Sequence, residues 1–192
     1  MRSNGFGIKT ALVFFLVLSL GSLGARAASA QAPEGKLPVA ITSSGQSPDG
    51  FILKMLCDRI KLKVAYNSLI KSDELKDFKS LMVVMGGSAK GLGAAGIDEP
   101  GELQRMQSVL AKAKEQKTAV YGLHIGGEAR RGKLSAPFVE QVAPRCDYLI
   151  VTEDGNKDGY FTTLAKEKQI PLTVVKDTQE LGALLKKTFG AN

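Results

Sequence analysis

The chain has 192 residues, 44% of them hydrophobic and 23% charged, with two cysteines, one histidine, no tryptophan and a formal charge of +7. A single histidine excludes a histidine-rich metal centre. The length suits one compact domain with its own core.

The first thirty residues read as a targeting segment and not as part of the fold. Arg2 and Lys9 give a basic start, Thr10–Leu20 is almost wholly apolar, and Ala28-Ser29-Ala30 fits an A-x-A cleavage pattern. The apolar run is about a dozen residues, against roughly 20 needed to span a bilayer. The expectation is a cleaved export signal over 1–30 and a single α/β domain over 31–192, periplasmic or extracellular, with no stable membrane insertion after cleavage. Cleavage removes Arg2, Lys9 and Arg26 and no acid, which takes the formal charge from +7 to +4. That is an ordinary solubility charge, and no nucleic-acid partner is expected.

From there strand and helix alternate. Leu37–Thr42 predicts a first strand, Ser43–Gln46 a loop, and Ser47-Pro48-Asp49 a helix opening with a capping hydroxyl and Pro at the first helical position. This helix is expected to run to about Lys61 with Ile52, Met55, Leu56 and Ile60 on its inner face. Lys63–Tyr66 is a short second strand, and Ser72-Asp73-Glu74 opens a turn that buries Leu75 and Phe78. Leu81–Met85 is a third strand, placed mid-sheet by its unbroken apolar run. A loop of five glycines follows, up to Gly96. Asp98-Glu99-Pro100 then starts the longest helix, with Leu103, Met106, Leu110 and Ala113 on one stripe.

Thr118–Leu123 predicts the fourth strand, breaking at His124 into a glycine- and arginine-bearing loop. A short helix marked by Phe138, Val139 and Val142 leads to the fifth strand, Asp147–Thr152. Tyr160, Phe161, Leu164 and Ala165 mark another helix, and Pro171–Val175 a sixth strand. Asp177 and Glu180 have the spacing of a capping box for the last helix. The alternation implies one doubly wound parallel sheet of five or six strands covered on both faces. The flavodoxin-like order 2-1-3-4-5, with strand six at the edge, is favoured over a Rossmann-like order. In that order Cys57 and Cys146 lie three strand positions apart, about 14 Å at roughly 4.8 Å per strand. A disulfide needs Cα atoms within about 7 Å, so no 57–146 bridge is expected.

Open parallel sheets bind ligands beyond the carboxyl ends of their strands, near the topological switch. Three loops gather at that edge, after strands one, three and four. The residues expected to line a ligand site are Ser43, Ser44, Gly45, Gly86, Gly87, Ser88, Lys90, His124, Gly126 and Gly127. Backbone N–H groups, hydroxyls and helix starts suit a small polar or anionic ligand, with Lys90, Arg130 and Arg131 available to neutralise charge. Asp49 and Glu99 oppose this, since both occupy first helical turns. Gly91-Leu92-Gly93-Ala94-Ala95-Gly96 spells G-x-G-x-x-G several residues past its strand, outside the strand-to-helix turn that gives the motif its mechanism. No cofactor is therefore expected. His124 with Ser44 or Ser88 offers a hydrolase or transferase reading, but no G-x-S-x-G elbow accompanies it. Glu153, Asp154 and Asp158 lack calcium-loop spacing, and no metal site is expected.

The stretches Thr42–Asp49 and Val83–Gly96 resemble an uncharacterised family of exported bacterial proteins known only as a domain of unknown function. The resemblance implies export and distinctive loops, and supplies no reaction. The resulting expectation is an exported protein that binds a small polar or anionic ligand and delivers it to a membrane transporter or sensor. A hydrolase using His124, and an envelope protein–protein interaction module docking near Leu92 and Ile97, are the alternatives. Whether a reaction is catalysed is left open.

Overall fold

The computed structural model describes Met1 and residues 32–191; the segment read as an export signal lies outside the described residues. Six strands, β1 (Val39–Ser44), β2 (Val64–Tyr66), β3 (Ser80–Met85), β4 (Ala119–His124), β5 (Tyr148–Thr152) and β6 (Leu172–Val175), are interspersed with six α-helices, with only a short 3-10 turn at Ser72–Leu75 between β2 and β3 and two helices between β3 and β4. The helices are α1 (Asp49–Arg59), α2 (Ala89–Ala94), α3 (Glu99–Gln116), α4 (Ala136–Val142), α5 (Tyr160–Lys168) and α6 (Thr178–Phe189). The strands form one open sheet in the order β2-β1-β3-β4-β5-β6, every neighbouring pair parallel. This is the flavodoxin-like order with β6 at the edge.

Every residue of β1 and β3 is buried, as expected of a parallel sheet sandwiched between helices. Alternation along the strands divides the core. Ala40, Leu81, Val83, Met85, Val120, Leu149 and Val151 face α3, α4 and α5. Val39, Ile41, Met82, Val84, Tyr121, Leu123 and Ile150 face α1 and α6. Tyr121 is fully buried yet satisfied, its hydroxyl donating to the Pro33 carbonyl at 3.2 Å. That bond and Gly35 N–H to Thr188 O at 3.0 Å tie the lead segment onto the α6 side of the sheet.

Several local expectations are corrected. β1 extends through Ser43 and Ser44, which pair with Val84 and Met85 of β3, so these serines are strand and not loop. α1 buries Gly50, Leu53, Leu56 and Cys57, while Ile52 and Met55 are exposed. Gly50 sets that rotation: a Cβ there would lie 2.3 Å from Ser43 Oγ, so the helix meets the end of β1 through its glycine. Ser47 does not cap α1. Pro48 occupies the N-cap position without a side-chain bond, and Ser47 Oγ donates instead to Asp49 Oδ2 at 2.9 Å. The glycine run is not all loop, since Gly91 and Gly93 lie within α2, capped by Ser88 Oγ, which accepts from Gly91 N–H at 3.1 Å. On the last helix the Asp177 carboxylate accepts from Gln179 and Glu180 N–H, but Glu180 reaches back to Lys176 N–H, one residue beyond the expected partner.

Cys57 and Cys146 are free thiols, one in each core layer. The sheet itself separates them, a stronger barrier than lateral distance alone. Burial pushes the Cys57 thiol up to about 12, aided by the Asp58 charge, and raises Cys146 as well. Neither is a nucleophile at neutral pH. A water-soluble alkylating reagent should leave both unmodified in the folded protein and label both after denaturation. Mass spectrometry of the unreduced protein should find no 57–146 linked peptide.

Candidate functional site

Parallel pairing of β1, β3 and β4 puts their carboxyl ends side by side, so the loops that follow meet on one edge. There they bond to one another. Gly86 N–H donates to Ser44 O at 2.9 Å, Ser47 N–H to Gly86 O at 3.1 Å, and Ser88 N–H to Gly45 O at 2.8 Å, with an antiparallel bridge between Gln46 and Gly87. Gly91 seats α2 on this ladder: a Cβ there would fall 1.9 Å from Gln46 O, so no larger residue fits without moving the backbone. Gly87 N–H donates to Ser135 Oγ at 2.8 Å, and Arg130 donates from NH1 to Gly87 O at 3.2 Å. Arg130 Nε also lies 3.6 Å from Asp49 Oδ2, which brings the loop after β4 onto the start of α1.

Beneath this ladder sits Glu102, a fully buried carboxylate on the apolar stripe of α3. Its Oε1 accepts from Gly45 N–H at 3.0 Å, Gln46 Nε2 at 2.9 Å and Arg105 NH2 at 2.8 Å, and its Oε2 from Arg105 Nε at 2.8 Å. Arg105 continues outward, donating to Ser43 O at 2.6 Å and Ile70 O at 2.9 Å. Gln46 Nε2 donates also to Ser68 O at 2.9 Å. One ion pair thereby joins α3, the end of β1 and the loop after β2. Sequence reading missed Glu102. The available signal was an acid at the 102, 106, 109, 113 spacing of the buried stripe, with an arginine three residues on to pair with it.

His124 closes the third side. Its ring is fully buried, 5.2 Å from that of Phe161, with Nδ1 3.0 Å from Met85 O and Nε2 3.3 Å from Gly127 O. A neutral imidazole has one N–H for these two carbonyls, and the shorter contact places it on Nδ1. Only the cation would satisfy both. Burial nonetheless lowers the imidazole pKa below 6.5, against the pull of the Met85 carbonyl. Both ring nitrogens face carbonyls and no serine hydroxyl is among their hydrogen-bond partners. This arrangement contains no Ser–His pair.

The expected wall therefore divides. Ser43, Ser44, Gly45, Gly86, Gly87, His124 and Gly127 are buried, Gly126 is half-buried, and the N–H groups of Gly45, Gly86, Gly87 and Ser88 are already occupied. The Ser43 and Ser44 hydroxyls are buried without a hydrogen-bond partner in the protein. These residues build the floor of the edge. Above them an open groove of about 760 Å³ is lined by Gln46, Ser47, Tyr66, Ser68, Ser88, Lys90 and Arg130, among others. Of the expected residues, Ser88 and Lys90 reach it. Arg131 does not, because it stacks on Tyr160 and Phe161 and pairs with Asp158 at 2.7 Å.

Glu128 N–H donates to Asp154 Oδ2 at 2.9 Å, and Lys157 bridges Asp154 and Glu128. The hydrogen bond from Lys157, joined by that from Glu128 N–H, holds the Asp154 carboxyl below its usual range. Among the described residues no group of three histidine, cysteine or acidic side chains is placed to hold a metal ion.

A family model described as a domain of unknown function, DUF6305, matches residues 36–189. The chain belongs to this family. No curated protein matches the chain. Among solved structures, the SGNH-hydrolase family esterase AlinE4 is 11% identical with a TM-score of 0.29, the match covering 73% of this chain and 77% of that one. A serine-to-alanine mutant of the same esterase gives 11% identity and a TM-score of 0.28, over 81% of this chain and 95% of the mutant. Likeness at that level carries no argument about activity. The DUF6305 description names no reaction, so chemistry must be read from the edge itself.

Two outcomes are expected. Glu102→Ala leaves Arg105 and two loop donors without their partner. It should lower unfolding free energy by about 3–5 kcal/mol, measured by urea titration. The lowered pKa of His124 means the unfolded chain takes up a proton before the folded one does. Stability should be fully present above pH 6.5 and fall as pH drops below it, by at most about 1.4 kcal/mol per pH unit. Urea titrations at pH 7.5, 6.5 and 5.5 should show this slope in the wild type and its loss in His124→Gln.

Proposed function

We propose that this chain is an exported protein that binds a small anionic ligand in the groove above the carboxyl ends of β1, β2 and β3. The observation that carries the reading is the joint placement of Lys90 and Arg130 on one groove with the polar side chains of Gln46, Ser47, Tyr66, Ser68 and Ser88. Order 2-1-3 makes the gap between β1 and β3 the switch point of the sheet, where the chain leaves toward opposite faces through α1 and α3. Among the described residues Lys90 forms no ion pair, and Arg130 keeps NH2 outside its hydrogen bond to Gly87 O and its ion pair with Asp49. Asp49 offsets part of the charge and favours a ligand with a hydroxyl or amide beside its anionic group. Release to a membrane transporter or sensor completes the proposal. Among the described residues no helix is long and apolar enough to cross a membrane.

Catalysis by His124 with a loop serine has no supporting contact, since both ring nitrogens meet carbonyls. Docking near Leu92 and Ile97 is not supported either, because Leu92 is buried and Ile97 half-buried.

The test is thermal denaturation of the purified protein with inorganic phosphate, sulfate and a panel of hydroxylated mono- and dicarboxylates. A binder at 100 times its Kd should add about 2.7 kcal/mol of stability. Lys90→Gln, an exposed change, should weaken that binder at least about tenfold. No stabilisation across the panel, or equal binding by Lys90→Gln, overturns the reading.

A further inference from the structure

A larger cavity lies at the opposite edge of the sheet, and its chemistry differs. It measures about 1070 Å³ and sits below the amino ends of β4 and β5, between the last turns of α3 and α5 and the turn entering β5. Leu110, Val120 and Cys146 line it while being 6%, 4% and 5% exposed, so they form its base, with half-buried Ile170 beside them. Lys114, Lys117, Arg145 and Lys168 line it as well and are exposed, which places them at its mouth.

We propose that this cavity binds an organic anion with an apolar body, the anionic head held among Lys114, Lys117, Arg145 and Lys168 and the body against Leu110, Val120 and Ile170. The site is independent of the groove proposed above. Charge supports it. One carboxylate, Asp147, shares the lining, and its Oδ2 already accepts from Val120 N–H at 2.8 Å. The lining therefore carries a net of three positive charges. Lysines at helix C-termini ordinarily just complement the helix dipole, and α3 and α5 both end here. Each end contributes about half a negative charge, which still leaves about two positive charges uncompensated. Among the described residues Lys114, Lys117 and Lys168 form no salt bridge, unlike Lys54, Lys112 and Lys157. Arg145 donates from NH1 to Gln141 O, which ties its guanidinium to the end of α4 at the mouth. Gln141 Nε2 donates to Leu103 O at 2.7 Å, while its Oε1 is buried and unpartnered beside the cavity. The apolar lining distinguishes this site from a patch that merely attracts small ions, because water over exposed Ala111 and half-buried Pro144 and Ile170 is released when an apolar body covers them.

The test is calorimetric titration of the whole protein with hexyl, octyl and decyl phosphate, each below its micelle concentration, and with octanoate, octanol and inorganic phosphate. Affinity should rise with chain length, by up to about fourfold for each buried methylene. Octyl phosphate and octanoate should both bind, which marks the head as a general anion and not a phosphate alone. The double variant Lys114→Gln/Lys168→Gln should weaken octyl phosphate at least about tenfold. Lys187→Gln, an exposed change on α6, should not. These substitutions sit at exposed positions, so circular dichroism should show the fold retained. The inference is overturned by absence of binding, by octanol or inorganic phosphate binding as well as octyl phosphate, or by equal loss in Lys187→Gln. Loss confined to Lys90→Gln would also overturn it, by moving the ligand to the groove at the carboxyl edge.

Discussion

The edge of this molecule depends on a charge that has no access to water. Glu102 is an ionised group in a hydrocarbon layer, tolerable only because four donors converge on its two oxygens. A buried ion pair of this kind adds little over an apolar replacement of the same shape. Its effect here is geometric. Gly45 and Gln46 can take one position relative to α3, and Gly86, Ser47 and Ser88 hang from that position through backbone bonds. The loop after β4 is then fixed by Ser135 and Arg130 against Gly87. Order passes from one carboxylate to three loops without a disulfide or a metal in the path.

The same economy explains why the carboxyl edge is shallow at its centre. Backbone groups that would face a ligand in a phosphate-cradling loop are turned into the protein and satisfy one another. What is left for solutes is the groove displaced toward β2, where Lys90 and Arg130 rise above the ladder. At the amino edge the entering segments also bond to one another, Lys79 N–H to Pro38 O and Ala119 N–H to Lys79 O, but beside the turn into β5 a cavity keeps an apolar base. The groove at the carboxyl edge is the more open of the two, and both mix cationic and apolar lining, so one chain presents two recesses at opposite ends of the same strands.

Much of the architecture was legible because apolar runs such as Leu81–Met85 and Tyr148–Val151 are short, rich in β-formers and bounded by polar residues, which favours buried strands over helix, and because Asp98-Glu99-Pro100 and Asp177 announce helix starts. Convergence of the loops followed from strand order alone. Their internal bonding did not, because nothing in Ser43-Ser44-Gly45-Gln46 says whether its N–H groups point to solvent or to Glu102. Periodicity misjudged α1 for a similar reason. Of the expected inner face Leu56 is buried, but Ile52 and Met55 point outward, because Gly50 is the residue that allows close approach to β1. Arg130 and Arg131 are adjacent and chemically alike, and only tertiary placement sends one to the groove and the other onto Tyr160 and Phe161.

The sheet ends on its two shortest strands, three residues in β2 and four in β6. Lys63 precedes one border and Lys176 follows the other. A foreign strand approaching either side finds too few unpaired amides to align on and a cation beside them. The long, hydrophobic strands β1 and β3 are enclosed within the sheet, so another chain could extend it only from its two short borders.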